Sequence, residues 1–348
     1  MGKHFAAYAM IVLAIGPGAG APGAAEKPAA AAQAGAHAID IPGWFKESFL
    51  DFPEEAKEAA RHKKRLFLYF GQDGCPYCKE LMQVNFARKD IAEKTRSHYE
   101  AIALNIWGDR EVVWFDGKAR TEKDLAALLK VQFTPTVLLL DEHGAVALRM
   151  NGYYPPHKFD AALDYVSGRR ENELPFSEFL KSRPAEPATG KLHKEPFLAP
   201  PPHDLKRLRA VSRKPIAVLF EQKECTGCDE LHSKGFQDPA AAALLPSFEW
   251  VRLELFGKSP VTLFDGQTLG EAEWGRSLNV AYTPTIVFFD DGGKEVFRVD
   301  AYLKPFHLAS SLDYVASGAY RSEPQFQRFI QARAQLLRSK GEAVELWK

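Results

Sequence analysis

Apolar and polar positions along the chain form a series of short runs, and the series occurs twice. In the first half, "DFPEEAKEAARHKK" (51–64) predicts a helix with its proline in the first turn, where a missing N–H costs little. The unbroken apolar run "RLFLYF" (65–70) predicts a buried strand. A turn holding two cysteines leads into the helix "YCKELMQVNF" (77–86), and "YEAIALNIW" (99–107) predicts a second strand. "VVWFDGKA" (112–119) turns at Asp116-Gly117 as a small hairpin, and "TEKDLAALLK" (121–130) is a helix opened by a threonine cap. "TPTVLLLD", the turn "DEHG" and "AVALRMN" predict strand, turn and strand. "PPHKFDAALDYV" (155–166) closes the unit as a helix. The order βαβ, then ββα, predicts an α/β unit in which a mixed sheet is flanked by helices on both faces.

The second half repeats the first. Phe70, Cys75, Cys78 and Leu81 recur as Phe220, Cys225, Cys228 and Leu231, 150 residues on. After one deleted residue "WFDG" (114–117) returns as "LFDG" (263–266), and "FTPT" (133–136) as "YTPT" (282–285). "LDYV" stands at both 163–166 and 312–315. The period is too long for a single supersecondary unit, so the pattern is a duplicated domain and not a solenoid. Two tandem domains are therefore expected, at 43–182 and 204–348, joined by a proline-rich linker at 183–203 that reads as extended and semi-rigid. At the end of the chain Phe326, Ile330, Ala334 and Leu337 share a helical face, expected to dock on the second domain.

The first 25 residues read differently. "MGKH" is a short positive start, "FAAYAMIVLAIG" an apolar run too short to span a bilayer comfortably, and "PGAGAPGAA" a string of small residues. This predicts an export signal cleaved near Ala25, with an uncleaved anchor as the alternative, and a disordered lead-in at 26–42. Lys plus Arg and Asp plus Glu balance at 45 each, so no global field favours nucleic acid. No later run is long and apolar enough for a membrane helix. The expectation is an exported, periplasmic protein with no stable membrane insertion after cleavage.

Export changes the meaning of the four cysteines. All four lie in two C-x-x-C pairs, Cys75/Cys78 and Cys225/Cys228. A disulfide across so short a loop constrains the unfolded chain little, which points to a reactive pair and not a structural one.

A C-x-x-C at a strand-to-helix turn, followed at a fixed distance by Thr-Pro before a strand, resembles the thioredoxin superfamily over 44–180 and 204–330. In "FGQDGCPYCKELMQVNF", "ALNIWGDREVVWFDGK" and "VQFTPTVLLLDEHG" the first copy is similar to SoxW-type thioredoxins associated with bacterial sulfur oxidation. The resemblance implies a periplasmic thiol–disulfide oxidoreductase. It also implies that Pro135 and Pro284 are cis and face the cysteines, and that the backbone at Thr134 and Thr283 pairs with substrate. Two features depart from the family. Tyr69 and Leu219 stand where thioredoxins carry a buried aspartate, and the dipeptide in "CPYC" is the glutaredoxin type, so redox direction does not transfer with the fold.

Thiol–disulfide exchange needs an accessible thiolate and a second thiol that resolves the mixed disulfide. Cys75 is expected as nucleophile because it opens a helix, whose free N–H groups and dipole favour an anion. Cys78, less than one turn later, is expected to resolve. Cys225 and Cys228 take the same roles in the second copy. There Glu221, Glu224 and Asp229 oppose thiolate formation, and Gly227 loosens the helix, so the two pairs are expected to differ in reduction potential. The expected partners are protein disulfides and a membrane thiol donor. No cofactor or metal is required. A chaperone-like adaptor and a Cu(I)-handling thiol protein are the alternatives, and a shared zinc site would need a special docking of the two pairs. The aromatics Trp107, Trp114, Phe133 and Tyr153 read as core, and His307 belongs to no ligand pattern.

Overall fold

The computed structural model describes residues 39–184 and 187–344. The expected export signal, its cleavage point near Ala25 and most of the lead-in lie outside the described residues. In the first domain α1 (Phe52–Arg61) starts where the Asp51 side chain accepts from Glu54 N, and β1 (Arg65–Gly71) follows with all seven residues buried. α2 (Pro76–Glu80) opens at Cys75 and runs into a π-helical turn at Leu81–Asn85. Next come α3 (Lys89–His98), β2 (Tyr99–Asn105), the hairpin of β3 (Glu111–Val113) and β4 (Ala119–Thr121), and α4 (Glu122–Leu128), capped by Thr121. β5 (Thr136–Leu140), β6 (Val146–Asn151), α5 (Pro156–Ser167) and α6 (Phe176–Lys181) complete it.

The second domain repeats this order. It comprises β7 (His203–Asp204), α7 (Leu205–Val211), β8 (Ile216–Glu221), α8 (Thr226–Glu230) and α9 (Pro239–Ala242). β9 (Glu249–Glu254), β10 (Pro260–Thr262), β11 (Thr268–Gly270) and α10 (Glu271–Ser277) follow. The domain ends in β12 (Thr285–Phe289), β13 (Glu295–Asp300), α11 (Pro305–Ala316) and α12 (Phe326–Ser339).

The main sheets have the orders β2-β1-β5-β6 and β9-β8-β12-β13. In each, the strand that leads into the cysteine turn pairs in parallel with one neighbour and antiparallel with the other. This is why "RLFLYF" has no polar alternation: a central strand covered on both faces buries every side chain. Alternation still sorts the residues. Phe67 and Tyr69 pack in one layer and Leu66, Leu68 and Phe70 in the other, and β8 divides Ala217 and Leu219 from Ile216, Val218 and Phe220 in the same way.

The two domains exchange an aromatic at equivalent places. Phe133 leaves the first domain and packs on Phe297 and Phe326 of the second, at ring separations of 5.5 and 5.2 Å. Tyr282 makes the reciprocal insertion, 4.2 Å from Tyr154 and 5.2 Å from Phe176. Between them Asn151 donates to Asp300 at 2.7 Å. α12 docks on the second domain through Phe326 and Ile330, while Ala334 on the same face is buried and Leu337 half-buried. It also reaches the first domain, where Gln327 donates to Gln132 O at 2.9 Å.

Candidate functional site

Both cysteine pairs are closed as disulfides, with Cα atoms 5.2 Å apart in each. Cys75 and Cys225 are the N-caps of α2 and α8, and in each the sulfur accepts from the backbone N–H three residues on, at 3.0 Å. An N–H aimed at sulfur from a helix tip favours the thiolate. The Thr134–Pro135 and Thr283–Pro284 peptides are cis. The Cys75 sulfur lies 3.4 Å from Thr134 O, close enough for the reduced thiol to donate. The structure therefore gathers Cys75, Cys78, Thr134 and Pro135 at one point. In the second copy Pro284 and the Thr283 carbonyl stand beside Gly227, where an added Cβ would come within 3.1 Å of the proline ring. A glycine between those cysteines thus lets the proline approach, beyond any loosening of the helix.

A hydrogen-bonded chain fixes the strip beside Cys75. Trp107 Nε1 donates to Gln72 Oε1 at 2.6 Å, and Gln72 Nε2 donates to Thr134 Oγ1 at 3.1 Å and to Gln327 Oε1 at 2.8 Å. Gln327 comes from α12, so the second domain helps hold the first domain's site. Tyr77, between the first two cysteines, points the same way. Its hydroxyl accepts from Lys304 N at 3.2 Å and lies 3.5 Å from His307 Nδ1. Burial pushes the Tyr77 phenol well up and pulls His307 down to about 4, so both are neutral near pH 7. From the sequence Phe133 and Tyr153 read as core and His307 has no role. All three line a chamber with Cys75.

The second pair is bordered by the linker instead. Thr226 donates to Pro187 O at 2.7 Å. The Asp229 carboxylate accepts from Thr189 N and Oγ1 at 2.8 and 2.7 Å, and from His193 Nε2 at 2.6 Å. Partial burial tends to raise the Asp229 pKa, but these hydrogen bonds outweigh it and hold the value low. Farther in, His232 bridges two acids, Glu195 at 2.8 Å and Glu221 at 2.9 Å. Burial lowers the imidazole pKa, yet its bonds and charge attraction to Glu221 and Glu195 outweigh that and raise it. Glu221 and Asp229 are therefore not the uncompensated charges that their positions in the sequence suggested. Glu224 is exposed.

The place of the family's buried aspartate is filled in two ways. In the first domain the Tyr69 hydroxyl lies 2.0 Å from where a Cβ on Gly71 would stand. In the second, Leu219 is apolar and Glu221, the counterpart of Gly71, brings a buried carboxylate. Among the described residues no group of three or more His, Cys, Asp or Glu side chains is arranged to hold a metal ion.

A family model described as a thioredoxin-like domain matches residues 52–167 and again 201–316, together more than half of the chain. A comparison with curated proteins gives no match. Among solved structures the chain is similar to a thioredoxin-fold protein from Helicobacter pylori at 26% identity, TM-score 0.30, over 34% of this chain and 78% of that one. A putative disulphide-isomerase from Bacteroides thetaiotaomicron is similar at 24% identity, TM-score 0.28, over 36% and 89%. A thioredoxin from Thermus thermophilus is similar at 21% identity, TM-score 0.26, over 33% and 83%. The family model, matching each half separately, makes the chain a member of the thioredoxin-like domain family, a tandem of two such domains with disulfide oxidoreductase chemistry.

Proposed function

We propose that this chain is an exported thiol–disulfide oxidoreductase that reduces protein disulfides through Cys75 and Cys78. One observation carries the reading. The Cys75 sulfur sits on a helix tip, 3.0 Å from Cys78 N and 3.4 Å from the carbonyl beside cis-Pro135. In the reduced protein the Cys75 thiolate attacks one sulfur of a substrate disulfide, and the other sulfur leaves as a thiol. Cys78 then attacks Cys75, releasing the second substrate thiol and closing the intramolecular disulfide. An extended substrate segment would pair with the backbone at Thr134.

The apolar run Phe5–Gly16 and the small residues before Ala25 support export, and a reductant outside the cytoplasm needs a membrane thiol donor. The likeness of "FGQDGCPYCKELMQVNF" to SoxW-type thioredoxins supports a periplasmic setting. Cys225 and Cys228, with Thr283 and Pro284, form a second redox pair of different potential. The linker contacts on Thr226 and Asp229 favour an adaptor role for that domain. Insulin reduction with a dithiol donor tests the whole reading. Wild type turns over, Cys75→Ser does not, and Cys78→Ser accumulates mixed disulfides through Cys75. Normal turnover in Cys75→Ser refutes the assignment. Unchanged turnover on replacing both Cys225 and Cys228 by Ser supports the adaptor role.

A further inference from the structure

Cys75 opens into a chamber closed on one side by the first domain and on the other by the second. Gln72, Thr134 and Tyr153 form one wall, and Tyr302, His307 and Gln327 form the other. The strip beside cis-Pro135, which a protein substrate would use, is thus faced by the chain's own second domain. The cavity is about 120 Å³, a small chamber beside the sulfur that the second domain walls on its far side.

The charges in the chamber have one sign. Asp73 and Asp300 line it, and among the described residues no lysine or arginine does. Its remaining polar groups are amides, hydroxyls and the His307 ring, which burial keeps neutral near pH 7. Arg149 and Arg298 lie near Asp300 but outside the chamber. Arg149 donates to the carbonyls of Leu129 and Lys130 and, through Nε, to Asn151 Oδ1 at 2.9 Å on the chamber wall. Arg298 donates to Leu278 O and Glu295. Both attract the Asp300 charge from behind and leave Asp73 at the mouth as the uncompensated one. Asp300 on the partly enclosed wall and Asp73 at the exposed rim repel an anionic ligand and attract a cation, and the enclosed one acts more strongly than it would in water.

We infer that, with its domains docked, the chain uses Cys75 to reduce small disulfides that carry positive charge, of the cystamine class, in preference to anionic ones of the glutathione disulfide class. The inference rests on the reading of Cys75 as the attacking sulfur. The Cys75 thiolate bonds to one cystamine sulfur and the other half leaves as cysteamine. Cys78 then attacks Cys75 and releases the second cysteamine, so two electrons and two protons pass from the protein dithiol to the ligand. An external dithiol returns them.

Three disulfides of similar size and different charge test the idea: cystamine, bis(2-hydroxyethyl) disulfide and 3,3′-dithiodipropionate. The full chain is reduced, freed of reductant and mixed with each, and every rate is divided by the rate of free dithiothreitol with the same disulfide. The normalised rate is expected to fall from cation to neutral to anion, by about tenfold end to end at low salt. The spread should narrow at high salt and in Asp73→Asn, whose site lies at the exposed rim. Equal normalised rates, or a faster anion, overturn the charge preference while leaving Cys75 as nucleophile. No reaction with any of the three, or with insulin, overturns the reading of Cys75 as well.

Discussion

Of the acids around the second cysteine pair, two meet partners that are distant in the chain. Glu221 bonds to His232 on the π-helical turn that follows α8 at Leu231–Gly235, and Asp229 bonds to Thr189 and His193 of the linker. The sequence shows acids flanking the cysteines, but not the imidazoles and hydrogen-bond donors that fold back onto them. His232 is the central group: it is 3% exposed, faces Glu221 and Glu195, and stacks on His193 at 4.4 Å. His232→Leu leaves Glu221 buried without its partner, and breaking a buried pair in this way costs about 3–5 kcal/mol. Urea titration should show that loss, and the added change Glu221→Gln should recover part of it. The pH dependence follows from the raised pKa of His232. A group that binds its proton more tightly when folded contributes fully below its unfolded pKa, about 6.5 for histidine. That contribution fades as pH rises through the elevated folded value. The gap between wild type and His232→Leu should therefore be widest below about pH 6.5 and shrink on the alkaline side. A gap that widens with pH contradicts the assignment.

At the scale of elements, the strong apolar runs are legible in the sequence and the weakly patterned helices are not. β1, β5 and α5 stand where "RLFLYF", "TPTVLLLD" and "PPHKFDAALDYV" place them. The segment of α3 is mostly polar and buries only Ile91 and Thr95, too few apolar positions to reveal a helical period. α6 is six residues long and draws its stability from Phe176 and Phe179 packing on Tyr165, a tertiary effect. α12 shows a stripe, and its docking on the second domain is what that stripe suggests. Its use of Gln327 to reach Gln72 and Gln132 has no periodic signature. Phe326 anchors α12, fully buried against Phe297 at 4.8 Å and Tyr314 at 5.1 Å. Phe326→Ala should cost about 3–5 kcal/mol. Because the helix walls the Cys75 chamber, the same change should speed alkylation of Cys75 in the reduced protein severalfold. Stability loss with no change in alkylation rate would show that α12 does not guard the cysteine.

At the scale of the whole molecule, a duplication visible as repeated motifs becomes a pair of domains that plug into one another. The residue before each Thr-Pro is the plug, Phe133 on one side and Tyr282 on the other. Read one copy at a time, an aromatic there is indistinguishable from core. Only the fold shows that each is buried in the other domain's core, and this is why the closure of the Cys75 site could not be anticipated. The arrangement makes access to Cys75 depend on size. A small disulfide can enter the chamber with the domains docked, whereas a protein disulfide needs the faces parted. Tyr282→Ala removes a buried ring that touches Tyr154 and Phe176, so it weakens the docking while leaving the first domain's cysteine turn and cis-Pro135 in place. Small-angle scattering should then report a larger radius of gyration. Insulin reduction should rise severalfold, and reduction of bis(2-hydroxyethyl) disulfide should change by less than about twofold, because its path to the sulfur was already open. If both substrates gain equally, the cysteine itself has become more reactive and the second domain is not the barrier; if insulin turnover stays flat in a molecule that has visibly expanded, protein substrates reach Cys75 by a route that the docked faces do not block.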